Sequence, residues 1–363
     1  MRLSLKRILL MIPAMMALMV LAMLLFVPSP IDPAAWDSPS APAETGIYEP
    51  NDRLAHAELL AKGELRQPED IAFDQAGQLY TGTKDGIIHR IRLADDGQVE
   101  RIEKFAETGG YPLGLAFAPD GSLIAAVKGK GLMEVRANGT VRLLADQVEG
   151  TPITYANEVA VAKDGIVYFT DSSRAFDMGW PYDILEARPH GRLLAYDPAS
   201  NTTRTVLDEL YFANGLALSP DEDYLLIAET PKYRILRLWL KGPLAHTVEP
   251  FADNLPLLPD NLFLDQDGDV WVGGSKRIAV IDALQPRPYW KKQIAKLPYA
   301  LLKRVPTMNR YGLAIRLNAE GQVTETLHDR QGDVYGVSSV VRQGDTLYFG
   351  TLFGDSIARL ELE

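Results

Sequence analysis

Four residues of a type that binds cations stand at the same place in a repeated unit of this chain. Each unit begins with an apolar triplet, and two residues before it the chain carries Glu69, Asn157, Asn214 and Asp260 in units one, three, four and five. Carboxylate and amide oxygens without His or Cys favour hard cations, and Ca²⁺ accepts irregular oxygen shells more readily than Mg²⁺. A single Asn or Asp in such a place is more often a turn or cap residue. Four such residues at equivalent places instead favour one shared cation site, provided that the fold brings them together.

The repeat predicts how these residues would meet. Its apolar triplets begin 44, 44, 57, 46 and 77 residues apart, and a polar turn and a second apolar strand follow each one; the triplets start at Ile71, Leu115, Val159, Leu216, Leu262 and Ser339. A period of about 45 residues with about four strands per unit is typical of propeller blades. We therefore predict an all-β fold, a six-bladed β-propeller over residues 51–363 with an insertion near 284–310, rather than an open solenoid or a sandwich. The first strand of each blade would line a central channel.

Convergence of these residues on one axis has a chemical consequence. In a narrow channel Glu69 and Asp260 would repel each other, and buried polar groups without partners cost several kcal/mol in order of magnitude. A divalent cation supplies two positive charges against the two carboxylates, and the amide oxygens of the two Asn residues complete its shell. Asp260 is then a candidate catalytic residue, either as general base toward water or as nucleophile.

The first 50 residues differ from the repeat. A basic tip over residues 1–7, with Arg2, Lys6 and Arg7, precedes an uncharged run over residues 8–27. Twenty residues at about 1.5 Å rise each span roughly the 30 Å hydrocarbon core, which predicts an uncleaved transmembrane helix, with a cleaved signal peptide as the alternative. The positive charges would stay cytoplasmic, so the propeller would lie on the periplasmic or extracytoplasmic side. Residues 28–50 contain six prolines and predict an extended, solvated spacer.

Composition narrows the class of protein. The net charge of −11 argues against nucleic-acid binding, which requires a basic face. The absence of Cys excludes disulfides and a cysteine nucleophile, and none of the five His residues has the spacing of a helical zinc site. Residues 288–304 depart from this acidic character, because they mix aromatic, aliphatic and basic residues. Such a stretch suits an anionic membrane surface, with a lid or a subunit contact as the alternative.

Blade four and the end of blade three resemble a known family. The stretches Tyr211–Asp221, Ala228–Thr230 and Gly191–Pro198 resemble the strictosidine synthase-like family, whose superfamily includes gluconolactonase, paraoxonase and the squid-type phosphotriesterase. The resemblance covers roughly residues 60–363 and implies a six-bladed propeller with Ca²⁺ in its channel. By comparison with the hydrolytic members, the implied ligands are Glu69, Asn157, Asn214 and Asp260, with Asn261 as a further ligand of the paraoxonase type. Asp70 and Glu158 are implied candidates for a second, structural ion.

Two departures from the superfamily bear on the activity. Paraoxonases have a His at the blade-two position where this chain has Leu113, and strictosidine synthase uses a Glu in the last blade where we align Val337 and Ser338. Because the last blade supplies no acid and the implied ion ligands are intact, the sequence favours hydrolysis of a small-molecule ester or lactone. The alternatives are a non-catalytic binding or scaffold propeller with a structural ion, and a strictosidine synthase-like condensing enzyme.

The segment after the second strand of blade three is rich in aromatic residues. Phe176, Trp180 and Tyr182 follow this strand closely. We interpret them as candidates for the wall of a substrate pocket, and the alternative is that they only pack a loop.

Overall fold

Each predicted unit folds into an antiparallel sheet, because short apolar runs alternate with tight polar turns. The computed structural model describes residues 26–176, 179–304 and 310–362 together with Pro13 and Met15. In these ranges the main sheets are six, each of four strands.

The strands are as follows in chain order. Strand β1 (Glu58–Leu60) belongs to the last blade; blade one is β2 (Ile71–Phe73), β3 (Leu79–Gly82), β4 (Ile87–Leu93) and β5 (Val99–Glu107); blade two is β6 (Tyr111–Phe117), β7 (Leu123–Lys128), β8 (Gly131–Val135) and β9 (Val141–Ala145). A small hairpin, β10 (Gln147–Val148) and β11 (Thr151–Pro152), precedes blade three, which is β12 (Ala156–Val161), β13 (Val167–Asp171), β14 (Gly191–Asp197) and β15 (Thr202–Leu210). Blade four is β16 (Ala213–Leu218), β17 (Tyr224–Glu229), β18 (Arg234–Trp239) and β19 (Val248–Ala252); blade five is β20 (Leu257–Leu264), β21 (Val270–Lys276), β22 (Gly312–Leu317) and β23 (Val323–Asp329); blade six is β24 (Val337–Gln343), β25 (Thr346–Thr351), β26 (Ile357–Glu361) and the early strand β1.

The blades close into a ring. The innermost strands contact one another in the order β2, β6, β12, β16, β20 and β24, and β24 contacts β2 again. Strand β1 pairs antiparallel with β26, with Glu58 opposite Arg359 and Leu60 opposite Ile357. The predicted six-bladed β-propeller is therefore confirmed, and the solenoid and sandwich alternatives are wrong. The core lies between neighbouring blades, where each sheet buries apolar side chains against the next.

Helices cover the end of the ring at which the innermost strands begin. One helix, α1 (Trp180–Glu186), connects the second and third strands of blade three. Three more connect the same strands of blade five: α2 (Ala279–Leu284), α3 (Pro288–Ala295) and α4 (Tyr299–Leu302). The insertion predicted near 284–310 is thus present, beginning a few residues earlier, and its residues 305–309 lie outside the described part. A break at Pro298 separates α3 from α4, as expected for a proline.

The prediction of a solvated spacer over residues 28–50 is wrong for its first half. Ile31 is buried, and the backbone N–H of Ala34 donates to the Glu186 carbonyl of α1 at 2.9 Å. The ring of Trp36 lies 5.7 Å from that of Tyr233. The prolines keep this segment extended, but its apolar side chains find partners on the covering helices, so it lies along the body instead of projecting into solvent.

The predicted transmembrane helix over residues 8–27 and the basic tip over residues 1–7 fall almost entirely outside the described residues. Within the described ranges, no helix has the length and apolar character that a membrane span requires.

Candidate functional site

A β-bulge lies at the same place in blades two to six, and blade one has an equivalent contact there. In blade three, Ala156 pairs with Asp171 and Val159 with Phe169, so the two residues between them face a single residue of β13. The same irregularity follows Pro112, Ala213, Pro259 and Val337, and in blade one the N–H of Glu69 donates to Gly82 just before the Ile71–Thr81 pair. A bulge re-aims side chains out of the regular pleat. The ring therefore directs one short segment of each blade toward its axis.

The predicted ligands occupy these bulges and meet across blades. The Nδ2 of Asn214 donates to Oδ1 of Asp260 at 2.6 Å, which joins blades four and five. The Nδ2 of Asn261 donates to Oε2 of Glu69 at 3.3 Å, which joins blades five and one. In blade three, Asn157 donates through Nδ2 to the Ser172 hydroxyl at 2.8 Å. The structure thus joins Asn214 to Asp260 and Asn261 to Glu69 across blades, and it buries Asn157 at the equivalent bulge of blade three.

Three amide oxygens at this place have no hydrogen-bond partner among the described residues. They are the Oδ1 atoms of Asn157, Asn214 and Asn261, all in buried side chains. A buried acceptor without a partner costs about 1–3 kcal/mol. Each amide donates through its nitrogen and leaves its oxygen unpaired, and the nitrogens of Asn214 and Asn261 donate to the carboxyls of Asp260 and Glu69. Such oxygen donors, without His or Cys, fit a hard divalent cation.

The two carboxyls at this place are strongly perturbed. Burial, and then the negative charge of Asp260, raise the pKa of Glu69 well above its ordinary value. Burial raises the pKa of Asp260 to about 7, although the hydrogen bond from Asn214 acts in the opposite direction. Across the described ranges, no group of three or more acidic or His side chains is arranged to hold a metal, so any cation here must rely on the amides.

Asp70 and Glu158 form a second acidic pair beside the first. The Oδ2 of Asp70 accepts a hydrogen bond from the Leu115 N–H at 2.9 Å, and the Oε1 of Glu158 accepts one from Val159 at 2.8 Å. Burial raises the pKa of Asp70 to about 7, and burial followed by the charge of Asp70 raises that of Glu158 well above its usual range. The pair lies together between blades one and three, and its occupation by a second ion stays a prediction.

The glycine after Asn214 is required by close packing of the innermost strands. A Cβ at Gly215 would lie 2.2 Å from the carbonyl oxygen of Asp260 in the next blade, which leaves no room for a side chain. The Asn-Gly pair is therefore part of a bulged strand and not the turn that the dipeptide alone would suggest. This close approach brings the Asn214 amide within hydrogen-bond distance of Asp260.

The alignment of blade six in the sequence is wrong by one residue. Val337 pairs with Thr351 and Val340 with Phe349, so the bulge consists of Ser338 and Ser339, not Val337 and Ser338. Both serine hydroxyls donate to the carbonyl oxygen of Glu69, at 2.6 and 3.0 Å. The error arose because Ser339 was counted as part of the apolar triplet. The blade still supplies no acid to the channel.

A cluster of mainly aromatic side chains lies at the end of the ring where the innermost strands begin, which we call the channel mouth. Leu113, Tyr155 and Phe212 form a buried cluster that Trp180 of α1 joins, and the rings of Tyr155 and Phe212 lie 5.2 Å apart. We call this group, with Tyr111, the mouth cluster. Trp180 therefore packs against side chains that lie at or just before the bulges of blades two, three and four.

The other two residues predicted for a substrate pocket lie elsewhere. Phe176 and Tyr182 pack with Ile31 and Ala295, between α1, α3 and the proline-rich segment. Their ring centroids are 6.0 Å apart. This position favours the alternative that these two residues pack a loop.

One buried acid was missed by sequence reasoning. Asp183 of α1 is 1% exposed, and neither of its carboxyl oxygens has a hydrogen-bond partner in the described part of the chain. Burial raises its pKa to about 7. In the sequence, an acid in the first turn of a helix is unremarkable because it complements the helix dipole. Only the packing of α1 against the propeller shows that this one is buried.

The buried state of Asp183 predicts a pH-dependent stability. Its pKa is about 7 in the folded chain and 3.8 ordinarily, so the folded state disfavours ionisation, and stability falls as the pH rises from about 4 to 7. The Asp183→Asn side chain cannot ionise. We therefore expect its free energy of unfolding to exceed that of wild type by about 2 kcal/mol at pH 8, and to equal it at pH 4. Denaturant unfolding at both pH values tests this, with the exposed Asp267→Asn as control. A variant no more stable than wild type at pH 8 would contradict it.

Comparisons with known proteins agree with this architecture. A family model described as strictosidine synthase matches residues 157–243, and one described as strictosidine synthase-like, N-terminal, matches residues 46–91. Among solved structures, a gluconolactonase from Xanthomonas campestris has a TM-score of 0.63 at 18% identity, covering 93% of this chain and 97% of that chain. Regucalcin from Agrobacterium tumefaciens, described as a calcium-binding protein, has a TM-score of 0.58 at 14% identity, covering 84% and 93%. At these identities the likeness shows the shared fold.

Relatives of greater sequence similarity extend over nearly the whole chain. Protein strictosidine synthase-like 6 of Arabidopsis thaliana is 33% identical over 347 residues, which is 91% of this chain and 89% of that protein. The adipocyte plasma membrane-associated protein of Rattus norvegicus is 32% identical over 378 aligned residues, which is 98% of this chain and 99% of that protein. The chain belongs to the strictosidine synthase-like family.

Proposed function

We propose that this protein hydrolyses small esters or lactones with the help of a divalent cation, Ca²⁺, held in the propeller channel. The observation that supports the proposal is that the amides of Asn214 and Asn261 donate to the carboxyls of Asp260 and Glu69, while their own oxygens and that of Asn157 stay buried and unpaired. The shared fold of a gluconolactonase and of a calcium-binding regucalcin supports it. Glu69, Asn157, Asn214, Asp260 and Asn261 would hold the ion. When bound, such an ion polarises a carbonyl group and offsets the negative charge that develops on it.

Asp260 is the residue that we assign to the chemical step. The amide of Asn214 holds one oxygen of the Asp260 carboxyl at 2.6 Å and thereby fixes the orientation of the group. The other oxygen either accepts a proton from the attacking water or attacks the substrate itself. Both roles require a carboxyl group in a fixed position near the scissile bond.

The surroundings of Asp260 favour a reaction in which charge develops on the substrate. The mouth cluster places aromatic and aliphatic side chains above the ligands, and the predicted ligands are all buried. In such a dry setting, electrostatic interactions are stronger than in water. The mouth cluster would also hold the apolar part of a substrate, with Trp180 as its contact from α1.

Condensation of an amine with an aldehyde has less support. The blade-six bulge carries Ser338 and Ser339, whose hydroxyls are engaged with the Glu69 carbonyl, and no acid stands there. A scaffold function is the second candidate for the same site, since one ion shared by blades one, three, four and five would tie the ring together.

The proposal is tested by turnover of a panel of lactones and aryl esters before and after chelation. We expect hydrolysis that is lost on treatment with a calcium chelator and is restored by Ca²⁺ more fully than by Mg²⁺. Stoichiometric binding of Ca²⁺ without turnover of any panel member would favour the scaffold. Hydrolysis that persists after the bound metal has been removed would refute the metal-dependent mechanism.

We also propose that residues 8–27 anchor the chain in a membrane as a single span. The charges of Arg2, Lys6 and Arg7 would keep the N-terminus cytoplasmic and place the propeller on the periplasmic or extracytoplasmic side.

A further inference from the structure

A patch of exposed apolar side chains lies on α2, α3 and α4, which we call the mouth helices (residues 279–304). Tyr289 is 63% exposed, Trp290 55%, Val280 58% and Leu301 51%. The rings of Tyr289 and Trp290 lie 5.3 Å apart, so they present one aromatic surface. Single exposed apolar side chains are normal on a protein surface, whereas exposed apolar side chains grouped into a patch mark interaction sites.

The mouth helices are basic in an acidic protein. Residues 279–304 contain six Lys or Arg residues and one Asp, whereas the whole chain has a net charge of −11. Lys291 is buried and donates to the Ala34 carbonyl at 2.7 Å, but Arg287 and Lys303 are exposed beside the apolar side chains. Aromatic and aliphatic side chains flanked by cations are the combination that binds an anionic bilayer surface.

The path of the chain brings the predicted membrane span to the same face. The carboxylate of Asp32 lies 3.0 Å from the Nζ of Lys292 on α3. Val27, the last residue of the predicted span, is five residues earlier, and five extended residues reach at most about 18 Å. A span over residues 8–27 therefore leaves the bilayer within about 18 Å of α3, on the side of the ring that carries the mouth helices.

We infer that the mouth helices rest on the anionic surface of the membrane in which residues 8–27 are anchored, so that the channel mouth faces the bilayer. The mouth helices adjoin the channel through α1. The ring centroids of Tyr299 in α4 and Tyr182 in α1 lie 5.8 Å apart, and α1 supplies Trp180 to the mouth cluster. This geometry also assigns a substrate class, an assignment that rests on the proposed function. The substrates are amphiphilic esters or lactones that partition into the bilayer and enter the channel from it.

The absence of Cys from the chain allows a direct test. Single cysteines replace Trp290 in the mouth helices and, as matched control, Gln266 in the exposed turn between β20 and β21, at the opposite end of the same blade. The full chain, labelled with a fluorophore at either site, is reconstituted into phosphatidylcholine vesicles with or without phosphatidylglycerol. Lipids with a nitroxide near the headgroup then quench any label at the bilayer surface.

We expect quenching of the W290C label to exceed that of the Q266C label by about threefold or more, and to be larger in vesicles with phosphatidylglycerol. Equal quenching at the two positions would overturn the inference. Self-quenching of the W290C label that rises with protein density and exceeds its quenching by lipid would also overturn it, in favour of contact between two copies of the chain.

The substrate class has a separate readout in the same vesicles. Turnover of a long-chain lactone should exceed that of a short-chain lactone at equal total concentration, and the preference should disappear when the bilayer is replaced by an excess of detergent. Equal turnover of both lactones would refute the substrate class without affecting the docking surface. No turnover of either, with strong W290C quenching, would refute the proposed function and leave the surface standing.

Discussion

Replacing Asp260 by Asn is expected to lower kcat/KM for a lactone substrate by about a thousandfold or more. The substitution keeps the size of the side chain and one oxygen. It removes the ability to accept a proton or to attack a carbonyl, whichever of these roles the carboxyl plays. The fold should survive, because burial raises the pKa of Asp260 to about 7 and the folded chain already tolerates a neutral side chain there. Steady-state kinetics and circular dichroism measure the two effects.

Asp267→Asn is the matched control for this experiment. Asp267 lies in the same blade, but its side chain is 81% exposed in the turn at the far end from the mouth. This variant should retain wild-type kinetics. If Asp260→Asn turned over substrate at a rate close to that of wild type, the role assigned to Asp260 would be wrong.

Calcium is expected to stabilise the chelated protein by roughly 6 °C in Tm. A ligand that binds only the folded state at a thousand times its Kd adds about 4 kcal/mol, and a propeller of this size gains about 1.5 °C per kcal/mol. Glu69→Gln removes one of the two carboxylates proposed to hold the ion, the one that accepts a hydrogen bond from Asn261, and should abolish most of this shift. Thermal unfolding with and without Ca²⁺ measures it.

The comparison variant is Glu64→Gln, which removes an exposed carboxylate five residues earlier in the chain. It should keep the full calcium shift. A shift of equal size in both variants would mean that the ion binds somewhere other than among Glu69, Asp260 and the amides. A shift present in wild type without any hydrolysis would leave the scaffold function as the better explanation.

The fold could be predicted because the repeated apolar triplets show which residues of successive blades are equivalent. The triplets at Ile71, Leu115, Val159, Leu216 and Leu262 all fall in the innermost strands, at the same distance after each bulge. The equivalence of Glu69, Asn157, Asn214 and Asp260 followed from that register and from the closure of a ring. It required no knowledge of loop shape.

The rest of the site depends on packing that periodicity does not encode. In blade six a serine precedes Val340, and a polar residue counted within an apolar triplet shifted the alignment by one position. The proline-rich composition predicted an extended segment after residue 28 but not the partners of Ile31 and Trp36. The burial of Asp183 follows from the way α1 lies over the channel, and helix periodicity in seven residues is too short to reveal it.

The seam between β1 and β26 has a consequence for biogenesis. Glu58 and Arg359 pair across 301 residues, so the earliest strand of the propeller is completed by the latest one. During synthesis the chain would hold five finished blades as an open crescent, with bare strand edges at both ends, until β26 has been made. Such edges recruit other strands. Truncation of even the last strand would leave the crescent permanently open, and we expect the shortened protein to be recovered as aggregate.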